Sequence, residues 1–332
     1  MLITSIIIIL ITLGIAFLID HLCNKNNKTQ PTFQNKPNPF DIDKDRYEEN
    51  TQNEYETIKQ NQEAEIEFKK NRTTAIIGFA FYYALNLVFS LIFQLIFHNV
   101  ALKELGLTNE QIYIDPEAYK TYEIVMTAYL NFVTMAVIFI GFIFIFKNIL
   151  KKDFIEFKSN PGKYFGLFGI GFVLMYVANI IVSFIIMLFF GDDIVSSNQD
   201  LLNEVFEFDN TTKILLAIFT VIFAPVIEEL LFRKSIFNFF KKNTFVPIIV
   251  SAVIFAFIHV SGPMLSTFLE MFGGTATFKD VLIEFAYIGI YLPPAFVLAM
   301  VYSEGKNNIY PCILIHIAQN LLSVIGMFLQ QN

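Results

Sequence analysis

The residues best suited to chemistry are ionisable side chains that fall inside long apolar runs of the sequence. A charged or polar group in such surroundings costs free energy unless it is paired, so it is a candidate for function. The candidates are Glu228, Glu229, Arg233, His259, Glu284 and His316. Three of them lie in one short stretch, "EELLFR".

The two adjacent glutamates of this stretch cannot do the same job. Successive residues of an α-helix point about 100° apart, so Glu228 and Glu229 face different neighbours. Glu229 and Arg233 are four residues apart and are expected to form an ion pair along the helix, which lowers the cost of burying both. This pairing leaves Glu228 free to face a pocket.

The polar residues of three separate apolar runs are expected to meet. In a helical hairpin with its turn near residue 243, two residues that are equally far from the turn lie at the same depth in the membrane. Their numbers then sum to about 487, as those of Glu228 and His259 do. Farther along, His316 and Asn320 are four apart and share one helix face. We therefore expect Glu228, His259, His316 and Asn320 to converge in one pocket.

A glutamate with two imidazoles and an amide suits hydrolysis. The carboxylate can act as a general base on water, and Asn and His can donate hydrogen bonds to an oxyanion. Glu228, His259 and His316 are also candidate ligands for a divalent metal such as zinc. The HExxH motif of many zinc proteases is absent. The expected cofactor is therefore either zinc or none. Considered separately, each histidine is well explained as a residue that packs or hydrogen-bonds between helices, and the Glu229–Arg233 pair as a purely structural ion pair. The expected convergence of these groups favours a functional site.

The composition indicates a membrane protein. Of 332 residues 55% are hydrophobic, more than the roughly 45–50% usual for soluble domains, and the mean hydropathy is +0.55. Runs of about 20 apolar residues are long enough to cross a bilayer. They cover about 2–19, 74–97, 124–148, 164–190, 212–232, 245–261, 281–302 and 309–328. The sequence predicts an all-α, polytopic integral membrane bundle of about eight transmembrane helices, without a basic face for nucleic acid.

The distribution of Lys and Arg predicts the topology. Basic segments (24–72, 147–163 and 233–242) alternate along the chain with segments that hold few or no basic residues. Because basic loops stay in the cytoplasm, both termini are predicted to lie outside. The first run, 2–19, has no basic segment before it and no cleavage site of small residues, so we expect an uncleaved anchor.

These patterns divide the chain into three parts. Residues 1–22 are predicted to be the transmembrane anchor, 23–72 a polar cytoplasmic linker and 73–332 a multi-helix membrane domain. The second half of the linker carries helix-forming residues and is expected to lead as a helix into the next span. The stretch 263–278, "PMLSTFLEMFGGTATF", is too short and too rich in glycine to cross a bilayer. We expect it at the outer surface or dipping back into the membrane.

Three motifs resemble those of a known family. "EELLFR" (228–233) fits EExxxR, "FAFIH" (255–259) fits FxxxH and "HIAQN" (316–320) fits HxxxN, in this order on successive apolar runs. Together they resemble the CPBP family of intramembrane proteases, also called the ABI or type II CAAX prenyl endopeptidase family. The resemblance covers a predicted catalytic core at about 210–328.

The resemblance implies hydrolysis of a peptide bond inside the membrane. It implies Glu228 as the base, His259 as its partner in activating water, and His316 and Asn320 as the oxyanion donors. The implied supporting residues are Glu229, Arg233 and Phe255. The expected partners are the lipid bilayer and a membrane-embedded or lipidated protein or peptide substrate, in a bacterial or archaeal cell membrane. Roles implied by the family are bacteriocin immunity, peptide-signal processing and membrane-protein processing.

Two other functions fit the same residues. A catalytically silent relative would use the fold as a membrane scaffold or immunity protein, although every motif position is filled here. A proton-coupled transporter would use the buried Glu and His residues as a relay. The sequence shows no inverted repeat of the kind that many transporters contain.

Overall fold

The computed structural model describes residues 44–191, 197–240 and 245–330. The residues in these ranges are 92% helical, and no strand occurs among them. The first predicted span, 2–19, lies outside the described residues. The helical bundle predicted from the apolar runs is confirmed.

The described helices follow one another with short connections. They are α1 (Lys44–Leu105), α2 (Asn109–Ile114), α3 (Pro116–Ser159), α4 (Pro161–Phe190), α5 (Ser197–Phe208), α6 (Asn210–Ile218), α7 (Ala224–Glu228), α8 (Phe245–Gly273), α9 (Phe278–Ala286), α10 (Ile288–Glu304) and α11 (Tyr310–Gln330). Two π-helical turns, Phe219–Phe223 and Glu229–Ser235, flank α7. With α6 and α7 they form one continuous segment, which we call the bulged helix (Asn210–Ser235).

Seven helical segments among the described residues are long and apolar enough to cross a membrane. Each covers one of the seven apolar runs predicted after residue 70, to within one residue at either end. Side chains on α4 show what surrounds this bundle, since Ile180, Leu188 and Phe189 are 66%, 65% and 79% exposed. Large apolar side chains on the outside of a bundle are suited to lipid.

The second half of the predicted linker is helical, as expected. Helix α1 runs without a break for 62 residues, about 93 Å at the α-helical rise. This length exceeds the roughly 30 Å hydrocarbon core, so α1 extends well beyond the membrane. Lys152 of α3 forms a salt bridge with Glu67 and ties this extension to the bundle.

The stretch 263–278 continues the preceding helix, and its place at the outer surface of the membrane stays a prediction. Helix α8 continues through Pro263 as far as Gly273, and a short turn then leads to α9. The residues after Pro263 are mostly helix formers, so the chain keeps its helical path despite the proline. Gly274 has a positive φ of 79° and ends this path, because glycine adopts that conformation without strain.

The core that positions the polar residues is built where helices approach closely. Phe142 of α3, Leu230 of the second π-turn and Leu298 of α10 are all at most 1% exposed. Helix α4 reaches this core through Gly171. A Cβ atom there would lie 2.7 Å from the side chains of both Val301 and Ile315.

Substitution of Gly171 should therefore loosen the bundle. We expect Gly171→Val to destabilise the protein by about 1–3 kcal/mol, because the added carbons overpack two buried contacts. Thermal unfolding in detergent measures the loss. Gly169→Val is the control on the same helix, since nothing lies within 4 Å of a Cβ there. Equal losses in the two variants would contradict this account of the packing.

Candidate active site

The first π-turn contains a backbone carbonyl that is satisfied by a side chain from another helix. Within it the Ala224 N–H bonds the carbonyl of Phe219, five residues back. The next residue, Pro225, has no N–H, so it cannot bond the Thr220 carbonyl in the same way. The side-chain Nδ2 of Asn320 donates to that carbonyl instead, at 2.8 Å. Asn320 thereby fixes α11 against the bulged helix.

The second π-turn holds Glu229 and Arg233 of the first motif, and side chains satisfy its widened backbone. Ser235 Oγ donates to the Leu230 carbonyl and Ser251 Oγ to the Phe232 carbonyl, both at 2.8 Å. All seven residues of the turn are buried. A buried carbonyl without a donor is costly, so these two hydroxyls stabilise the turn.

The predicted ion pair within the first motif is confirmed. Arg233 Nη1 donates to Glu229 Oε1 at 2.9 Å, and both side chains are fully buried. Arg233 Nη2 also donates to the carbonyl of Ala295 at 3.3 Å. His316 Nδ1 lies 2.9 Å from the same oxygen, Glu229 Oε1. Glu229 thus holds two helices together, which the sequence reasoning did not foresee.

Glu228 faces the other way, as its position on the helix predicted. Its Oε2 lies 3.9 Å from His259 Nε2 and 3.7 Å from His316 Nε2. The side chains of Glu228 and His259 are each 22% exposed, whereas that of His316 is 8% exposed. These separations exceed the length of a direct hydrogen bond.

The outer partners of the two imidazoles decide which nitrogen carries hydrogen. His259 Nδ1 lies 2.8 Å from the Phe255 carbonyl, which can only accept, so Nδ1 carries the proton. His316 Nδ1 is protonated for the same reason, because Glu229 Oε1 is an acceptor. Both rings consequently direct Nε2 towards Glu228.

Phe255, the first residue of the second motif, lies between two charged or polar groups. The Arg233 guanidinium carbon is 4.5 Å from the centre of the Phe255 ring. The His259 ring lies 4.4 Å from Phe255, centre to centre, and Tyr291 stacks on His259 at 4.8 Å with 26° between the planes. Tyr291 belongs to none of the motifs, and sequence reasoning missed it.

The structure brings together three of the four predicted catalytic residues, Glu228, His259 and His316. The contact of Asn320 is with the Thr220 backbone of the neighbouring helix. The sequence signals only that Pro225 leaves some carbonyl without an N–H partner, and the π-turn makes this the carbonyl of Thr220. The catalytic roles themselves stay predictions.

The candidate metal ligands have suitable chemistry but are not assembled as a metal centre. A carboxylate oxygen and two imidazole Nε2 atoms are usual zinc ligands. Among the described residues, however, no group of three or more His, Cys, Asp or Glu is arranged to hold a metal ion. The zinc site stays a prediction, and the mechanism proposed below is written for the side chains alone.

Breaking the buried pair should destabilise the protein strongly. Arg233→Met leaves the Glu229 carboxylate without its cation, and we expect a loss of about 3–5 kcal/mol. Chemical denaturation in detergent measures it. The double variant Glu229→Gln/Arg233→Met should be more stable than the single variant, because it removes the unpaired charge. A double variant at least as unstable as the single one would contradict this explanation.

Comparison with known proteins gives two matches. Residues 210–322 match the family model described as type II CAAX prenyl endopeptidase Rce1-like. An uncharacterized protein of Mycoplasma capricolum subsp. capricolum is 30% identical over 187 residues, which are 54% of this chain and 48% of that protein. The matched region thus spans about half the length of that relative. No solved structure matches the chain significantly.

The family match begins at the start of the bulged helix and ends within α11. It includes all three motifs, with Glu228, His259 and His316 around one space and Asn320 on the neighbouring turn of α11. The resemblance seen in the motifs is thereby confirmed. Residues 210–322 are thus similar to the Rce1-like, type II CAAX prenyl endopeptidase family.

Proposed function

We propose that the protein is an intramembrane endopeptidase of the CAAX-protease type, with Glu228 as its general base. One observation carries the proposal. The Glu228 carboxylate lies less than 4 Å from two imidazole Nε2 atoms, and both imidazoles are held from behind by acceptors. A water molecule in this space would meet a base and an orienting nitrogen together.

The chemistry needs one water and one peptide bond. The water donates one hydrogen bond to Glu228 and one to His259 Nε2. Glu228 takes a proton as the water oxygen adds to the carbonyl carbon of the scissile bond. The tetrahedral oxyanion then collapses, the carbon–nitrogen bond breaks, and Glu228 returns the proton to the leaving amine. The products are a carboxylic acid and an amine.

His316 can serve the oxyanion in its doubly protonated form. It would then donate Nδ1–H to Glu229 and Nε2–H towards the developing negative charge. The formal charges of Glu228, Glu229, Arg233 and His316 sum to zero in this state, which suits a buried cluster. Asn320 has a second N–H besides the one bound to Thr220, and we assign that N–H to the same oxyanion.

The proposed substrate is a membrane-embedded or lipidated protein or peptide. The apolar exterior of the bundle and the seven segments able to span a membrane support a position of Glu228 and both imidazoles inside the bilayer. A soluble substrate would have to enter this region, whereas a membrane-bound one is already there. Bacteriocin immunity, peptide-signal processing and membrane-protein processing are the roles that such a protease could fill.

Removal of the Glu228 charge should abolish cleavage while leaving the fold intact. Glu228→Gln keeps the shape of the side chain but not its basicity, so we expect cleavage to fall by at least about 100-fold. The measurement is mass spectrometry of membrane peptides from cells that carry the wild type or the variant. Uncut precursors should accumulate in the variant.

Glu270→Gln is the matched control, because Glu270 is an exposed glutamate on α8, away from the site. It should leave the peptide pattern unchanged. Cleavage by Glu228→Gln at the wild-type rate would refute the proposed base. Identical peptide patterns for the wild type, Glu228→Gln and a strain lacking the protein would instead favour a catalytically silent scaffold.

Metal removal tests the alternative in which zinc binds Glu228, His259 and His316. We expect the purified protein to keep its activity after dialysis against a chelator, because the proposed water is activated by side chains alone. Metal analysis of the same sample is the second measurement. Loss of activity that zinc alone restores would show that the catalytic water needs a metal.

A further inference from the structure

The His259 ring is part of a column of four stacked side chains. In order these are Arg233, Phe255, His259 and Tyr291, with successive separations of 4.5, 4.4 and 4.8 Å. They come from the second π-turn, α8 and α10, so the column joins three helices. The two inner members are the first and last residues of the FxxxH motif, and Tyr291 lies outside every motif.

The Phe255 end of the column cannot by itself fix the His259 ring. Phe255 precedes His259 by four residues on α8, and it supplies both the ring below His259 and the carbonyl that binds Nδ1. Both contacts come from the same helix face. They leave the opposite face of the imidazole without support from α8.

Tyr291 adds a contact to the imidazole from a different helix, α10. Its ring is nearly parallel to His259, with 26° between the planes, the offset-stacked kind of arrangement that aromatic pairs favour. The side chain is partly buried. Because α10 also offers the Ala295 carbonyl to Arg233, one helix contacts both ends of the column.

We infer that Tyr291 is a positioning residue, whose ring holds the His259 imidazole in the orientation that directs Nε2 at Glu228. The inference deepens the proposed function, since the use of that orientation depends on Glu228 and His259 activating water. The inference assigns this role to the ring face that stacks on His259. Tyr291→Phe should therefore behave like the wild type, whereas Tyr291→Leu should not.

The first test reads the imidazole directly and needs no substrate. The chain has four histidines, so nitrogen NMR of the ¹⁵N-histidine-labelled protein in detergent resolves few signals, and His259→Gln assigns the one of interest. We expect a single Nδ1-protonated form of His259 in the wild type and in Tyr291→Phe. In Tyr291→Leu we expect a shifted signal with mixed tautomers.

Phe296→Leu is the control for loss of an aromatic ring from the same helix. Phe296 packs against Phe245 and not against His259, so its loss should leave the His259 signal unchanged. An unchanged His259 signal in Tyr291→Leu would overturn the inference. So would an equal change in Phe296→Leu, because any loosening of α10 would then have the same effect.

The second test is kinetic, with a membrane peptide that the wild type cleaves and Glu228→Gln does not. Tyr291→Leu should lower kcat about tenfold with little change in KM. A tenfold loss corresponds to about 1.4 kcal/mol, which is near the upper end of the interaction energy of one aromatic pair. Tyr291→Phe should restore kcat. A rise in KM at constant kcat would overturn the positioning role. Because the NMR test is independent of activity, failure of the proposed protease function would not be mistaken for failure of this inference.

Discussion

The arrangement of the site depends on one buried ion pair. Glu229 and Arg233 are both fully excluded from solvent, and charges in that position must be neutralised within the protein. The pair achieves this by drawing other helices towards it. Arg233 binds a carbonyl of α10, and Glu229 accepts from an imidazole of α11. The contacts that compensate for burying the two charges therefore join three helices. The partly exposed Glu228 lies next to this junction.

A second constraint comes from prolines next to the polar residues. Pro225 comes shortly before Glu228 and leaves the Thr220 carbonyl to Asn320. Pro263 comes four residues after His259 within α8, so the His259 carbonyl lacks the N–H that a regular helix would supply. Both prolines therefore free backbone carbonyls within a turn or two of the candidate catalytic residues. In a membrane such groups need partners from the protein, and at Pro225 a motif residue is that partner.

Much of this arrangement could be predicted from the sequence, because it follows from helical periodicity. The spans came from run length, and the separate directions of Glu228 and Glu229 came from the 100° step between neighbours. The contact of His259 with Glu228 came from equal depth in a hairpin. The second role of Glu229, as acceptor for His316, could not be predicted, since it depends on the rotation of α11 about its own axis. The stacking of Tyr291 on His259 also depends on how distant helices pack, which no local pattern records.

The second π-turn takes up one residue more than an α-helical turn would hold. A π-turn contains one residue more than an α-turn between hydrogen-bonded groups, and the seven residues Glu229–Ser235 are all buried. Loss of one residue here would restore α-helical spacing and close the widened backbone, which the Ser235 and Ser251 hydroxyls now satisfy. The helix on either side would keep nearly the same angular phase, because the bulge alone accommodates the extra residue. Relatives aligned with a one-residue gap inside this turn would therefore keep the direction of the helix beyond it but would not need these two hydroxyls.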